Sequence, residues 1–279
     1  MKAKKSLGQN FLTAQSVVDK IVETANLNKE DIVLEVGPGK GVLTKALLEK
    51  AGKVIAVEKD DELITYLKEE FKDEIKDEKL ILVHGDILTF DFKSLLKVAP
   101  LSASLREERP FPEIFKIVAN IPYYITGEFL RKTLSSDIQP TQMVLLVQKE
   151  VAERIAKSKK ESILSLSVKV YGEPKYIQTV KAGSFSPAPK VDSAILSIEN
   201  ISKDFFLNTE VRPRCSGLDL EKCFFKVIKT GFAHKRKLLI NNLSVLKSKE
   251  VLQKAFSKAN IGDMARAEDL ALEQWKQLV

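Results

Sequence analysis

Ile32-Val33-Leu34-Glu35-Val36 runs straight into Gly37-Pro38-Gly39-Lys40-Gly41, and a stretch carrying Val42, Leu43, Ala46 and Leu47 at helical spacing follows at once. A short, branched apolar run bounded by glycines reads as a buried strand, and the spacing after it as a helix packed on that strand. Glycines in the connecting turn let the backbone approach a ligand without Cβ clashes. The same alternation then repeats. Residues 53–57 form a second strand, and Asp60 caps a helix to about Phe71 whose inner face is Leu63, Ile64 and Leu67. Residues 80–83 and 115–119 are further apolar strands. Strands that are apolar on both faces and alternate with helices make a parallel sheet covered on both sides, an α/β architecture.

Upstream, residues 13–26 have the period of an amphipathic helix, with Val17, Val18, Ile21, Val22 and Ala25 on one face and Thr13 as its cap. Downstream, helices are expected at about 127–136, 149–157 and 162–171, and strands at 143–147, 175–181 and 193–199. Residues 98–113 hold three prolines and no clear period, so an insertion loop is expected there. Past about residue 205 the period is helical only, with Cys223, Phe224, Val227 and Ile228, then Leu239 and Leu243, then Val251, Leu252, Ala255 and Phe256 as inner faces. These patterns divide the 279 residues into a larger α/β domain at 1–204 and a small all-α domain at 205–279.

No apolar run approaches the roughly 18 residues of a membrane span. The basic start, Met1-Lys2-Ala3-Lys4-Lys5, leads into Ser6-Leu7-Gly8-Gln9-Asn10 rather than an apolar signal core, which makes the cytoplasm the expected compartment. Cys215, Cys223, His84 and His234 are too scattered to set up a zinc site, so no metal is expected. The net charge of +7 is uneven: residues 200–279 hold 15 Lys and Arg against 9 Asp and Glu, the remainder 30 against 29. A nearly neutral larger part joined to a basic one suggests a polyanion partner for the latter. The densest cluster there is Gly231-Phe232-Ala233-His234-Lys235-Arg236-Lys237, with Arg212 and Arg214 adding to it.

Two nucleotide sites are disfavoured by the glycine turn itself. The dinucleotide fingerprint wants Gly or Ala after Gly41, where Val42 stands, and there is no Gly-Lys-Ser/Thr ending of a P-loop. Glu58 ends the second strand, 21 residues after Gly37, where an acid reaches the hydroxyls of a ribose. Asp86, just past the third strand, is placed to accept from an adenine's amino group. In a doubly wound sheet of order 3-2-1-4-5, the crevice opens between the carboxyl ends of strands 1 and 4, here Gly37 and Asn120. Asn120-Ile121-Pro122-Tyr123 combines an amide, a rigid proline and an aromatic ring. Those are parts for holding an amino-bearing base, and equally parts of a strand-to-helix turn with a capping Asn.

With Gly37-Pro38-Gly39-Lys40-Gly41, Glu58 and Asp86, this stretch resembles the S-adenosylmethionine-dependent methyltransferases that act on exocyclic amines. Leu7-Gly8-Gln9-Asn10-Phe11-Leu12, Gln148-Lys149-Glu150-Val151-Ala152-Glu153-Arg154, Phe185-Ser186-Pro187-Ala188-Pro189-Lys190-Val191-Asp192-Ser193 and Ala265-Arg266-Ala267-Glu268-Asp269-Leu270 narrow the likeness. The whole set is similar to the KsgA/RsmA family of bacterial small-subunit (16S) rRNA adenine dimethyltransferases. The resemblance implies a Rossmann-like fold with S-adenosylmethionine contacted by Asn10, Leu12, Gly37, Glu58, Asp86 and Asn120. It also implies Asn120 and the Ile121 carbonyl gripping an adenine amine, with Tyr123 and Phe185 sandwiching the ring. The implied activity is dimethylation of two adjacent adenines in the 3′-terminal hairpin loop of small-subunit rRNA during ribosome assembly, with the C-terminal domain helping to dock rRNA. Nothing in the sequence argues against a monomer, which is the expected state. Two competing readings are the large-subunit rRNA adenine methyltransferase of macrolide resistance and a mainly non-catalytic ribosome-assembly factor. Gln148-Lys149-Glu150-Val151 and Val191-Asp192-Ser193 favour the small-subunit enzyme. One departure is Ser162-Ile163-Leu164, where the family usually has Tyr-Gly-Arg.

Overall fold

The computed structural model of the chain describes residues 3–4, 7–95, 115–207 and 219–279. The expected 98–113 loop, Arg212 and Arg214 lie outside them. The first compact unit comprises residues 1–152 and 173–201. It opens with β1 (Phe11–Leu12) and α1 (Gln15–Ala25), followed by β2 (Ile32–Val36), α2 (Val42–Lys50), β3 (Lys53–Glu58), α3 (Asp61–Glu70), α4 (Lys72–Lys76) and β4 (Leu80–His84). Next come β5 (Phe115–Asn120), α5 (Thr126–Leu134), β6 (Gln142–Gln148) and the start of α6 (Lys149–Ala156), and then β7 (Glu173–Val180), β8 (Phe185–Ser186) and β9 (Ser193–Glu199).

Seven strands form one sheet in the order β4-β3-β2-β5-β6-β9-β7. The pairs β2–β3, β2–β5, β3–β4 and β5–β6 are parallel, the 3-2-1-4-5 order expected from alternation. The last two strands differ: β9 runs antiparallel to β6 and to β7. No crossover helix separates β7 from β9, and a parallel neighbour needs one. Alternation therefore ends at β6, and the sheet is mixed.

All five residues of β2 are buried, as are all of β6 except its two end residues. The apolar face of α1 (Val17, Val18, Ile21, Val22, Ala25) packs into a core with Leu43, Leu47, Val54, Leu67 and Val118. Thr13 is not the cap of α1; Ala14 occupies that position, and the Thr13 hydroxyl instead donates to the Ser184 carbonyl at 3.0 Å. Asp60 caps α3 as expected, accepting from the Glu62 N–H at 3.0 Å.

The second unit comprises residues 153–172 and 202–279. It holds the end of α6, α7 (Ile163–Lys169), α8 (Asp204–Leu207), α9 (Leu220–Gly231), α10 (Leu239–Leu243), α11 (Lys249–Lys258) and α12 (Leu272–Gln277). The expected division at 204/205 falls three residues beyond the structural one, and residues 153–172 group with the C-terminal helices rather than with the sheet. Aromatic packing accounts for this: Tyr171 lies 5.2 Å from Phe206 and 6.1 Å from Phe225 by ring centroids, and its hydroxyl donates to Glu221 at 2.6 Å. Ser162, at the departure from the resembled family, caps α7 through a capping box with Ser165.

Gly41 shows how tightly the first turn is built. It has φ of +78°, and a Cβ placed there would lie 2.4 Å from the Phe71 ring. Gly41→Ala is therefore expected to destabilise the protein by about 2 kcal/mol or more, from the left-handed backbone and the overlap together. Urea or thermal unfolding against wild type checks this, with a lower midpoint as the expected result.

Candidate active site

The carboxyl ends of β2, β3, β4 and β5 together line one cleft. β2 leads into Gly37 and Gly39, both at positive φ, and the Gly37 N–H donates across to the Val57 carbonyl at 3.0 Å. β3 ends in Glu58. Its Oε1 accepts from the Lys59 and Asp60 N–H groups at 2.8 and 2.9 Å, and its Oε2 from the Gly39 N–H at 3.3 Å. Burial raises the Glu58 pKa, and those three backbone donors offset part of the rise. Just beyond β4, Asp86 pairs with Lys59 at 2.8 Å and accepts from the Leu88 N–H at 2.9 Å. The Lys59 ammonium is the main reason its carboxyl is held below the usual range.

Asn120 closes the cleft at the end of β5. Its Nδ2 donates to the Asn10 backbone carbonyl at 3.0 Å. A carbonyl can only accept, so the amide is oriented and its Oδ1 points the other way, available to accept. Ile121 is buried, and Pro122 at φ −57° and ψ 131° keeps the chain extended before the turn of Tyr123 and Tyr124. The Tyr123 hydroxyl meets the Ser193 hydroxyl at 2.6 Å, which anchors the ring by its far end. Burial raises the Tyr123 pKa, so the phenol is neutral at physiological pH.

The N-terminal segment is strapped over this site. Lys4 pairs with Asp60 at 2.6 Å and Glu62 at 3.0 Å, and the Gln9 amide donates to Asp60 at 2.7 Å. β1 then pairs antiparallel with β8, Leu12 opposite Phe185. On the far side, Lys132 of α5 donates to the carbonyls of Ile87, Leu88 and Phe90 at 3.0, 2.9 and 2.6 Å. It thereby fixes the segment after Asp86 to the helix after Asn120.

Asn10, Leu12, Gly37, Glu58, Asp86, Asn120, Ile121 and Tyr123 all line the one cleft. Phe185 does not. It is 4% exposed and packs in the core with Leu12 and Val18. The proline-rich surroundings of Phe185 read as a loop, whereas Phe185 and Ser186 form the strand that receives β1.

Glu35, which lines the cleft, and Lys132, which holds the segment after Asp86, carry no role in the sequence patterns. Lys132 gave no signal, since a lysine on a helix is normally solvated. Glu35 gave one, an acid inside an apolar strand. It is 1% exposed, and its Oε2 has no hydrogen-bond partner among the described residues. Burial pushes its pKa up to about 8, Glu58 adds to the shift and the Thr44 hydroxyl opposes it.

The donor set fits S-adenosylmethionine: two carboxylates at successive strand ends for hydroxyl and amino groups, apolar Leu63 and Ile87 walls for a ring, and an unpartnered buried acid for a cationic group. Among the described residues no cluster of His, Cys, Asp and Glu is arranged to hold a metal ion.

A Rossmann-like sheet with this cleft at its switch point defines a methyltransferase of the S-adenosylmethionine-dependent class. The family model for ribosomal RNA adenine dimethylase matches residues 1–279. "Ribosomal RNA small subunit methyltransferase A" of Dehalococcoides mccartyi is 42% identical over 281 residues, covering 100% of this chain and 88% of that protein. The protein of the same name from Clostridium acetobutylicum is 38% identical, covering 98% of this chain and 91% of that one. The crystal structure of the 23S rRNA methyltransferase ErmE superposes with a TM-score of 0.71 at 25% identity, over 96% of this chain and 98% of that one. A dimethyladenosine transferase from Plasmodium falciparum shares the fold, with a TM-score of 0.74. The chain belongs to the ribosomal RNA adenine dimethylase family, and it is an S-adenosylmethionine-dependent enzyme.

Glu35 gives the site a pH signature. Its folded pKa of about 8 lies above the ordinary 4.5, so between those values the folded state holds a proton that the unfolded state has released. Its contribution to stability is complete below about pH 4.5 and is lost as pH rises toward 8, at up to about 1.4 kcal/mol per pH unit. Glu35→Gln removes this titration. Unfolding free energies measured from pH 5 to 8.5 are expected to fall less steeply in the variant than in wild type.

Proposed function

We propose that the chain methylates the exocyclic amine of two adjacent adenines in the 3′-terminal hairpin loop of small-subunit rRNA, giving N6,N6-dimethyladenosine. The observation that carries this reading is the Asn120 amide, held by Asn10 so that Oδ1 is free to accept from an amino group at the crevice. An adenine amine is a poor nucleophile because its lone pair is delocalised into the ring. Acceptance of its hydrogens by Asn120 Oδ1 and the Ile121 carbonyl favours a pyramidal amine and frees that lone pair. Tyr123, fixed by Ser193, offers a ring for the base to lie against. S-adenosylmethionine, when bound, supplies an electrophilic methyl on a sulfonium. Asn10, Leu12, Gly37, Glu58 and Asp86 are the residues proposed to hold it, and positioning of this kind contributes several kcal/mol to a rate. The ammonium product is acidic enough to lose its proton to water, so no strong base is needed. Before any of this, the target base must leave its stack.

In the second unit, Lys235, Arg236 and Lys237 stand exposed on the turn between α9 and α10. Asn242 holds that turn, donating to the Gly231 carbonyl at 2.6 Å and the His234 carbonyl at 3.1 Å. We assign the turn, with Arg212 and Arg214, to phosphate contacts with rRNA in an assembling small particle. A monomer acting in the cytoplasm is part of the same proposal. Among the described residues no helix is long and apolar enough to cross a membrane.

Asn120→Ala is expected to lower methylation of small-subunit particles by at least about 100-fold, the scale for loss of one preorganised polar group. Binding of S-adenosylhomocysteine, followed by calorimetry, should change only a few-fold. An equal loss of both would remove the proposed role. Replacing Lys235, Arg236 and Lys237 together by Ala should reduce the slope of log K against log salt by about 2, if each neutralises one phosphate of single-stranded RNA. Binding titrations at several salt concentrations measure that slope.

A further inference from the structure

Extruding a base costs its neighbours as well as itself, because each flanking base loses a stacking partner. An enzyme that extrudes a target therefore gains from a flat, open ring at the mouth of its pocket. Among the described residues lining the cleft, Tyr124 has this character. It follows Tyr123 directly in the turn after Pro122, yet it is 64% exposed, whereas its neighbours Ile121 and Ile125 are buried. Its ring lies beside Gly8, where an added Cβ would sit 3.2 and 3.3 Å from two ring carbons. The Gly8 backbone, at φ +62°, is already in a conformation that disfavours other residues.

We infer that Tyr124 is a stacking platform for the nucleobase beside the target adenine, holding that neighbour while the target enters the cleft toward Asn120. This rests on the reading of the site as an RNA adenine methyltransferase. The ring's exposure favours a flanking base over the cofactor: it lines the cleft beside Gly8 and is 64% exposed, so most of it stands in solvent. Phe185, the other aromatic expected to stack, is buried, which leaves Tyr124 as the open ring at the mouth.

The test uses the full chain, labelled S-adenosylmethionine and small ribosomal particles. Initial rates are measured against particle concentration for wild type and for Tyr124→Ala, Tyr124→Leu, Tyr124→Phe and Tyr124→Trp. Stacking of one base contributes about 1–3 kcal/mol, so Tyr124→Ala should raise KM for the particle by about 5- to 150-fold, with kcat changed less than about threefold. Tyr124→Leu keeps an apolar contact on Gly8 but has no flat face, and it should be as impaired as the Ala variant. Tyr124→Phe and Tyr124→Trp should hold KM within about threefold of wild type. Calorimetric affinity for S-adenosylhomocysteine should be unchanged throughout. Four results overturn the inference: an unchanged KM in the Ala variant, a Leu variant that behaves as wild type, failure of Phe to restore KM, or a loss of S-adenosylhomocysteine affinity in step with KM. A wild-type protein that methylates no adenine in the particle overturns the underlying functional reading, and the inference with it.

Discussion

The hydrogen bond from Asn120 Nδ2 to the Asn10 carbonyl is the constraint on which the site depends. An asparagine amide can present either a donor or an acceptor to a ligand, and this bond decides which. Each end is held by different parts of the fold. Asn120 ends a central parallel strand paired with β2 and β6. Asn10 precedes β1, which is stitched to β8, and the segment before it is tied to Asp60 through Lys4 and Gln9. Asp60 is also the cap of α3, so one carboxylate joins the strap to the helix that follows the second strand. Burial pushes its pKa up, but the bonds from Lys4, Gln9 and the Glu62 N–H outweigh that and keep it ionised. A side chain whose rotamer matters for chemistry is thus fixed by elements more than a hundred residues apart in sequence.

The buried acids of the cleft work against stability. Glu35 and Glu58 are both raised above their ordinary range by burial, and Glu58 adds to the rise of Glu35. Backbone donors relieve Glu58, and Lys59 relieves Asp86, but Glu35 Oε2 has no partner among the described residues. A buried unpaired acid is costly. It also makes a place where a positively charged ligand is favoured, since an opposite charge nearby supports the ionised form. An unpaired buried acid lining a cleft is what a binding site should show.

Much of this was readable from residue types. Short apolar runs and the 3.6-residue period located the strands of the parallel core and its longer helices, and the Asp60 cap followed from a polar residue ahead of an apolar-periodic run. The acids at strand ends converged because a parallel sheet puts every carboxyl end on one edge. What stayed hidden depends on partners distant in sequence. The antiparallel run of β9 cannot be told from its composition, because a fully buried strand looks alike in either direction. Phe185 sits in a proline-rich stretch, and only its pairing with Leu12 shows that it is core rather than a free ring. Lys132 and Tyr171 gained their roles from carbonyls and rings brought together by folding. Glu35 was visible as an acid in an apolar strand, but its lack of a partner was not.

We propose that the cleft presents an adenine of small-subunit rRNA to the methyl donor. The most direct measurement supplies the protein with labelled S-adenosylmethionine and an equal mixture of unmethylated small and large ribosomal particles, then maps the labelled nucleotides. Label is expected on two adjacent adenines of the small-subunit rRNA and on no large-subunit nucleotide. Label confined to the large subunit, or absent from both, would contradict it.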